Sequence, residues 1–201
     1  ILVVDDSSPD GTAELVEQSS RNNKRVHLLS RPDKMGLGSA YLEGFRWALQ
    51  REYVLVVEMD ADFSHDPGKL IDLLRASEEA DLVLGSRYVD GGGTIGWSFF
   101  RRFISKAGSF YARSILRVPI RDLTGGYKCF NRRVLEAIPL DKVVCEGYAF
   151  QIEMTYRVLR KQFRVVEIPI QFKDRRVGKS KMSWRILAEA VRSVWWMRFR
   201  L

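Results

Sequence analysis

The chain has 201 residues, of which 46% are hydrophobic, enough for a packed core of ordinary size. Lys and Arg number 33 against 25 Asp and Glu, and the resulting net charge of +8 favours anionic partners: nucleic acid, phosphorylated ligands or an anionic membrane surface. The longest stretch without a charged residue, Gly91 to Phe100, is too short to cross a bilayer, and no signal peptide is evident. The two cysteines, Cys129 and Cys145, lack metal-binding spacing and are typical of a reducing compartment.

The first ninety residues alternate between strand and helix patterns. This alternation indicates βα units and an α/β fold with a mostly parallel sheet. The chain opens inside a strand pattern, so we expect a truncated N-terminus. The predicted strands are Ile1–Asp5, Val26–Ser30, Tyr53–Met59 and Leu82–Ser86, and the predicted helices are Ala13–Ser20, Leu37–Arg51 and Pro67–Ser77.

After Arg87 the pattern changes to a flexible connection at Gly91–Gly93 and then to a basic amphipathic helix, about residues 97–116, with Phe99, Phe103 and Phe110 at helical spacing. A second amphipathic helix is expected from Trp184 to Leu201. Basic helices that carry Phe and Trp are typical of a membrane interface, but packing on the core predicts the same pattern. Between these helices we expect a strand at Tyr127–Phe130, a helix at Tyr148–Leu159 and an edge strand at Val165–Phe172, interrupted by Pro169.

Two carboxylates, Asp60 and Asp62, directly follow the β-branched run that ends at Val57. A continuous apolar run predicts a strand buried on both faces, and ligands bind at the carboxyl ends of such strands. A pair of carboxylates there suits a divalent cation that is shared with the phosphates of a nucleotide. A solvated acidic turn gives the same short motif, so the neighbouring residues decide between the two interpretations.

Other polar residues follow the predicted strands. Asp5 and Asp6 end the first strand, where they could accept from a nucleoside or cap the next helix. Arg87 ends another strand, and Arg101 and Ser105 lie one helical turn apart. Five cations fall between Arg175 and Arg185, which predicts either a solvated basic loop or a flap that neutralises a diphosphate.

The two histidines, His27 and His65, have no partners at metal-site spacing, and we expect both to be structural. The sequence contains no Ser/His/Asp arrangement and no glycine-rich P-loop, so neither a hydrolase triad nor a P-loop nucleotide site is supported.

Six motifs occur together in one order along the chain. The motifs are Val3–Thr12 (VVDDSSPDGT), Gly36–Gly38, Asp60–His65 (DADFSH), Gly85–Tyr88 (GSRY), Asp122–Tyr127 (DLTGGY) and Val177–Met182 (VGKSKM). Taken together, this ordered set resembles the polyprenol (dolichol) monophosphate mannose synthases, which are family 2 glycosyltransferases of the GT-A fold, and the resemblance covers essentially the whole chain.

The resemblance implies an inverting transfer of mannose from GDP-mannose to the phosphate of a polyprenyl or dolichyl phosphate, with Mg²⁺ or Mn²⁺. It also implies a peripheral position on the cytoplasmic face of the membrane and a role in protein glycosylation. Carried over residue by residue, it assigns donor binding to Asp5, Asp6, Asp60, Ala61 and Asp62, metal binding to Asp60, Asp62 and Ser64, acceptor phosphate binding to Arg87, Arg101 and Ser105, closure on the donor phosphates to Arg175 and Lys181, and catalytic roles to Asp62, Arg87, Arg175 and Lys181.

The chain departs from the family pattern at two places. The family's first strand, with a Pro-x-Tyr-Asn-Glu turn, is expected before Ile1, and Ser64 stands where some relatives have a Gln that ligates the metal. We expect a catalytic domain over residues 1–182 and a C-terminal amphipathic helix over residues 183–201.

Two other functions compete with mannosyl transfer. A UDP-glucose-dependent polyprenyl phosphate glucosyltransferase would keep the fold and change the sugar. A basic nucleic-acid-binding domain fits the net charge, but the carboxylate pair argues against it because carboxylates repel phosphates unless a metal intervenes. We therefore expect no nucleic-acid partner.

Overall fold

The structure is a computed structural model that describes residues 1–174 and 184–201. The chain divides into two compact units, Ile1–Glu52 and Tyr53–Leu201. The expected boundary between a catalytic domain and a terminal helix, at residues 182 and 183, stays a prediction.

The first unit contains two strands and two helices in alternation. These are β1 (Leu2–Asp5), α1 (Thr12–Asn22), β2 (His27–Ser30) and α2 (Leu37–Leu49). The two strands pair in parallel, from Leu2 opposite His27 to Asp5 opposite Ser30. All four elements lie within two residues of their predicted bounds, since each has a clear apolar period and a turn signal on both sides.

Helix α2 buries one face, formed by Leu42, Phe45 and Ala48. The apolar spacing of Leu42, Phe45 and Leu49 in the sequence predicts that Leu49 shares this face, but Leu49 is only half-buried. A spacing of three residues per step keeps side chains on one side of a helix, and the smaller Ala48 completes that stripe. The helix begins after Gly36, whose φ of 103° lies in the region that favours glycine.

The second unit contains six strands and five α-helices among its described residues. A 3₁₀ turn at Pro67–Lys69 precedes α3, so the helix predicted from Pro67 starts as a tighter turn, and another 3₁₀ turn lies at Leu140–Lys142. In chain order the elements are β3 (Leu55–Glu58), α3 (Leu70–Ala76), β4 (Leu82–Ser86), β5 (Gly93–Ile95), α4 (Phe99–Leu116), β6 (Lys128–Asn131), α5 (Arg132–Ala137), α6 (Gly147–Arg160), β7 (Val165–Pro169), β8 (Gln171–Lys173) and α7 (Trp184–Arg200).

The main sheet of this unit has the strand order β3-β6-β4-β7. Strand β7 pairs in parallel with β4, whereas β6 runs antiparallel between β3 and β4. The α/β class is confirmed, and the inserted β6 makes this sheet mixed. Strand β7 lies at an edge of the sheet, as Pro169 predicted.

The prediction that the Val57 run is buried on both faces was wrong. Leu55, Val56 and Val57 are each half-buried, because β3 is an edge strand of the described sheet. The fully buried strand is β4, which lies between β6 and β7.

The connection at Gly91–Gly93 is a packed turn and not a flexible link. Gly91 has a φ of 85°, and a Cβ atom on Gly92 would lie 2.6 Å from the carbonyl oxygen of Ser86. Gly93 begins β5, which pairs in parallel with β8. Only glycine fits this close approach, so the triplet that suggested flexibility in the sequence instead serves tight packing.

Within the described part of the chain, no helix has both the length and the apolar character needed to cross a bilayer. Cys129 and Cys145 are both free and buried. Burial raises the pKa of the Cys129 thiol to about 11.

Candidate active site

The loop after β3 holds Asp60 and Asp62, and local hydrogen bonds fix its shape. The fully buried Ser64 donates to Oδ1 of Asp62 from its backbone N–H at 3.0 Å and from its hydroxyl at 2.5 Å. Phe63, between them, has a φ of 64°, an uncommon conformation for a residue with a side chain. Ser64 was predicted as a metal ligand; the structure places its hydroxyl on Asp62, where it orients the carboxylate.

His65 supports the same loop through a hydrogen bond and a ring contact. Its Nδ1 accepts from the backbone N–H of Asp60 at 3.0 Å, and its ring stacks on Tyr127 with centroids 4.9 Å apart. Burial lowers the pKa of His65, although the charges of Asp60 and Asp62 act in the opposite direction. The expected structural role is confirmed, and the bond to Asp60 N–H is a contact that histidine spacing alone did not reveal.

A glycine, Gly126, packs close to Asp60. A Cβ atom on Gly126 would lie 3.7 Å from Oδ1 of Asp60 and 3.3 Å from Nε2 of Gln151. Among the described residues, no group of three or more His, Cys, Asp or Glu side chains could hold a metal ion. A cation held by Asp60 and Asp62 would therefore take its remaining oxygen ligands from a bound ligand or water, which fits Mg²⁺ or Mn²⁺ chemistry.

Behind the carboxylate loop lies a buried ionisable pair that sequence analysis missed. Glu58 and Lys128 are opposite each other on β3 and β6, with Oε1 and Nζ 3.8 Å apart. Lys128 donates to the backbone and side-chain oxygens of Gln151, at 2.9 and 2.5 Å. Burial raises the pKa of Glu58 to about 8 and lowers that of Lys128 to about 8, each opposed by the partner's charge.

Arg87, directly after β4, is held by a buried carboxylate. Its Nε and one terminal nitrogen each lie 2.7 Å from an oxygen of Asp122, and Thr124 accepts from the same terminal nitrogen at 2.8 Å. Burial opposes both charges, but the pairing holds the pKa of Asp122 below and that of Arg87 above their ordinary values. Arg87 therefore presents a fixed positive charge.

Arg101 and Ser105 lie one turn apart on α4, as predicted. A terminal nitrogen of Arg101 lies 2.7 Å from Oδ1 of Asp174, and its guanidinium stacks over Trp97 at 4.1 Å from the ring centroid. The Ser105 hydroxyl accepts from the hydroxyl of Tyr88 at 2.6 Å. Two buried donors here, Nε of Arg101 and Nε1 of Trp97, have no hydrogen-bond partner in the described structure.

These residues line a cavity of about 90 Å³ between α4, α6 and α7. Arg87, Arg101 and Ser105 stand on its wall with Trp97, and apolar side chains such as Ile152 and Val194 line the rest. The cavity thus combines cationic groups with a mainly apolar lining. Such a shape suits a ligand that has an anionic head and an apolar tail.

The three predicted phosphate-binding residues therefore meet at one cavity, while the predicted metal ligands share one loop. Phe172 on β8 connects the two places, since its ring lies 5.2 Å from that of His65 and 5.4 Å from that of Trp97. Ala61 is exposed in the carboxylate loop. Arg175 and Lys181 lie outside the described residues.

Asp5 and Asp6 belong to the first unit. Oδ2 of Asp5 accepts from the backbone N–H of Ser8 at 3.0 Å, and Asp6 binds the guanidinium of Arg31 through both oxygens, at 2.6 and 2.7 Å. This pairing lowers the pKa of Asp6. Neither carboxylate caps α1, which follows Gly11 without a side-chain cap, so the capping alternative was wrong.

Comparison with known proteins identifies the family. The model for Glycosyl transferase family 2 matches residues 1–139. Undecaprenyl-phosphate mannosyltransferase of Micrococcus luteus is 48% identical over 96% of this chain and 80% of its own length. Polyprenol monophosphomannose synthase of Mycolicibacterium smegmatis is 48% identical over 100% of this chain and 77% of its own.

Solved structures show the same fold at lower identity. Glucosyl-3-phosphoglycerate synthase from Mycobacterium tuberculosis, in complex with Mn²⁺, UDP-glucose and phosphoglyceric acid, is 18% identical with a TM-score of 0.63, over 96% of this chain and 68% of that chain. Its complex with Mn²⁺, UDP and glucosyl-3-phosphoglycerate gives 17% and 0.64, over 98% and 67%. The expected GT-A fold is confirmed. The chain belongs to glycosyltransferase family 2, in the group of the polyprenol monophosphate mannose synthases.

Proposed function

We propose that this protein transfers mannose from GDP-mannose to the phosphate of a polyprenyl or dolichyl phosphate, with inversion at the anomeric carbon. The names of the two relatives at 48% identity support a mannosyl donor and a polyprenyl phosphate acceptor. The observation that carries the proposal is the cavity of the second unit, because its arginines and its apolar lining match the two parts of such a lipid.

The acceptor phosphate is proposed to bind Arg87, Arg101 and Ser105. Arg87 is preorganised by Asp122, so little ordering is needed when the phosphate arrives. A cavity of about 90 Å³ is smaller than the roughly 150 Å³ that holds one benzene molecule. It would therefore take only the first part of the isoprenoid chain, and the remainder would lie outside it.

The donor diphosphate is proposed to bind beside Asp60 and Asp62 together with Mg²⁺ or Mn²⁺. The carboxylate oxygens of this loop are ligands that suit such an ion. The ion would neutralise charge that develops on the departing nucleoside diphosphate. In the solved structure of glucosyl-3-phosphoglycerate synthase the complex contains Mn²⁺, which supports a divalent metal here.

The reaction needs no general base, since a phosphate monoester is ionised near neutral pH. The work of the protein is to hold the attacking oxygen in line with the anomeric carbon and to stabilise charge. Arg87 and Arg101 would do the first. Arg175 and Lys181 are proposed to stabilise the leaving group, and Asp5 and Asp6 to contact the nucleoside; these roles rest on the family resemblance alone.

The protein is proposed to act at the cytoplasmic face of a membrane as a peripheral protein. Helix α4 exposes Phe99, Phe100, Phe103 and Phe110, its phenylalanine face, by between 61% and 83%. Arg102 and Lys106 are exposed on the same helix. Exposed aromatic and basic side chains on one helix favour binding to an anionic lipid surface.

A transfer assay tests the proposal against its alternatives. The full-length protein would receive GDP-mannose or UDP-glucose, with a polyprenyl phosphate or 3-phosphoglycerate as acceptor, in Mg²⁺ or in EDTA. We expect labelled sugar in the lipid extract only with GDP-mannose, polyprenyl phosphate and metal, and a loss of about a hundredfold or more in folded Asp62→Asn. Transfer from UDP-glucose, or to 3-phosphoglycerate, in place of this product would contradict the proposal.

A further inference from the structure

Asp174 forms an ion pair with Arg101, one of the two arginines of the proposed acceptor site. Its Oδ1 lies 2.7 Å from a terminal nitrogen of Arg101. The Arg101 side chain is 23% exposed and that of Asp174 is 42% exposed, so the pair lies at the rim and not in the interior. A carboxylate at such a place can leave an arginine at modest cost, because water reaches both groups.

The site around this pair is short of hydrogen-bond acceptors. Nε of Arg101 and Nε1 of Trp97 are buried, and within residues 1–174 and 184–201 neither has a partner. Both residues line the cavity, and the guanidinium of Arg101 lies 4.1 Å above the Trp97 ring. Unpaired buried donors are rare in folded proteins, and two of them beside one cavity indicate that a ligand supplies acceptors there.

A phosphate matches this shortage better than a carboxylate does. A carboxylate has two oxygens, whereas a phosphate monoester carries three terminal oxygens and more negative charge. It can therefore bind the terminal nitrogen now used by Asp174 and also accept from the two unpaired donors. A terminal guanidinium nitrogen can donate two hydrogen bonds, but a carboxylate and a phosphate beside the same guanidinium repel each other, so the binding of one weakens that of the other.

We propose that Asp174 holds the place of the acceptor phosphate on Arg101 until that phosphate displaces it, and that the indole N–H of Trp97 is a further ligand of the phosphate. This inference rests on the proposed function, since it deepens the description of the same acceptor site. Asp174 then acts as an internal competitor. It keeps Arg101 paired in the absence of substrate and raises the concentration at which any phosphate binds.

Competition by Asp174 predicts a definite pattern of changes in phosphate affinity. A competitor within the protein weakens every ligand that must displace it by the same factor, whatever the ligand's tail. Asp174→Asn should therefore tighten inorganic phosphate and a short-chain prenyl phosphate equally, by about two- to fivefold as for a partly exposed ion pair. Trp97→Phe, which keeps the ring under Arg101 and removes the N–H, should weaken both ligands.

Titration calorimetry with these two probes on the full-length protein provides the test. The variants are Asp174→Asn, Arg101→Ala, the double variant and Trp97→Phe. Asp90→Asn is the matched control, because Asp90 is fully exposed and pairs with Arg121 on the surface. Thermal unfolding of each variant confirms that it is folded.

We expect the gain from Asp174→Asn to vanish when Arg101 is Ala, since nothing remains to compete for. Unchanged or weaker phosphate binding in Asp174→Asn would overturn the inference, as would a gain that persists without Arg101. Unchanged binding in Trp97→Phe would overturn the role of the indole. Failure of the wild-type protein to bind prenyl phosphate would contradict the proposed function itself, whereas wild-type binding without these changes would contradict this inference alone.

Discussion

The pair formed by Arg87 and Asp122 shows how a single residue is prepared for the site. Two strong hydrogen bonds to Asp122 fix the guanidinium, and the Arg87 backbone N–H donates a third bond to the same carboxylate. The Asp122 side chain is fully buried. A buried charge without its partner is costly, because neither water nor a counter-ion replaces what is lost. Asp122 is therefore a positioning residue for Arg87.

Replacing Asp122 with Asn should destabilise the protein by about 3–5 kcal/mol, because it leaves Arg87 buried without a counter-ion. Urea unfolding of the wild type and of Asp122→Asn measures this difference. Asp90→Asn should change stability by less than about 1 kcal/mol, since both partners of that pair are exposed. Equal stability of Asp122→Asn and the wild type would contradict the assignment.

The same pair predicts a pH dependence. The pKa of Asp122 is lower in the folded protein than its ordinary value of 3.8. Its stabilisation is therefore fully present above that value and is lost as the pH falls through the lower folded pKa. The difference in unfolding free energy between wild type and Asp122→Asn should shrink only in this acidic range, and a difference that shrinks near neutral pH would show another group to be responsible.

Individual site residues were predictable where local sequence decides their place. Asp60 and Asp62 follow a strand closely in sequence. They must therefore lie at an end of the sheet, whether that strand runs parallel or antiparallel to its neighbours. The partner of Arg87 is 35 residues away in sequence, and that of Arg101 is 73 residues away. Only the tertiary fold brings such pairs together, so no spacing rule could reveal Asp122 or Asp174.

Helix α4 illustrates the limit of periodicity at the scale of an element. The spacing of its phenylalanines predicted the helix, and its N-terminus is set by Ser98, whose side chain accepts from the backbone N–H of Arg101. Periodicity does not tell which surface a face meets. The face packed in the protein contains Ser109, Ala112 and Leu116, whereas the phenylalanine face is exposed.

The phenylalanine face should bind membranes. The full-length protein should co-sediment with anionic vesicles, and the triple change Phe99→Ser, Phe100→Ser and Phe103→Ser should weaken this by about tenfold or more, because each buried ring contributes a salt-insensitive term. Leu15→Ser with Ile71→Ser is the matched control, since both side chains are also exposed but lie on other helices.

Two outcomes separate binding of α4 to the membrane interface from packing of α4 on the core. Wild-type protein that stays in the supernatant with anionic vesicles at low salt would contradict interfacial binding. An equal loss of binding in the triple variant and in the control would show that general surface apolarity is responsible, and not α4. High salt should release the wild type only in part, since salt screens the basic residues but not the rings.

The strand order of the main sheet was a further feature that sequence could not provide. Alternating strands and helices predicted the α/β class, and the parallel pairs β1–β2 and β4–β7 agree with it. The antiparallel insertion of β6 depends on which strands meet across the sheet. Because β6 follows a long helix and a loop, both directions were compatible with its residues.

At the scale of the whole molecule, the second unit carries both the cavity lined by Arg87 and Arg101 and the carboxylate loop in one compact structure. The proposed chemistry brings two anions together in this unit, a diphosphate beside Asp60 and Asp62 and a monophosphate beside Arg87 and Arg101. A net charge of +8 favours both anions and an anionic lipid surface. In the proposed reaction the lipid phosphate itself attacks the sugar in a single displacement.

The stereochemistry of the product shows whether the sugar is transferred in a single displacement. The full-length protein would be incubated with GDP-mannose, polyprenyl phosphate and Mg²⁺, and the extracted mannolipid examined by NMR for the one-bond coupling between C1 and H1 of mannose. A single in-line displacement predicts the inverted, β-linked mannosyl phosphate. An α-linked product would contradict a single displacement, and the absence of any mannolipid would contradict mannosyl transfer to the lipid phosphate.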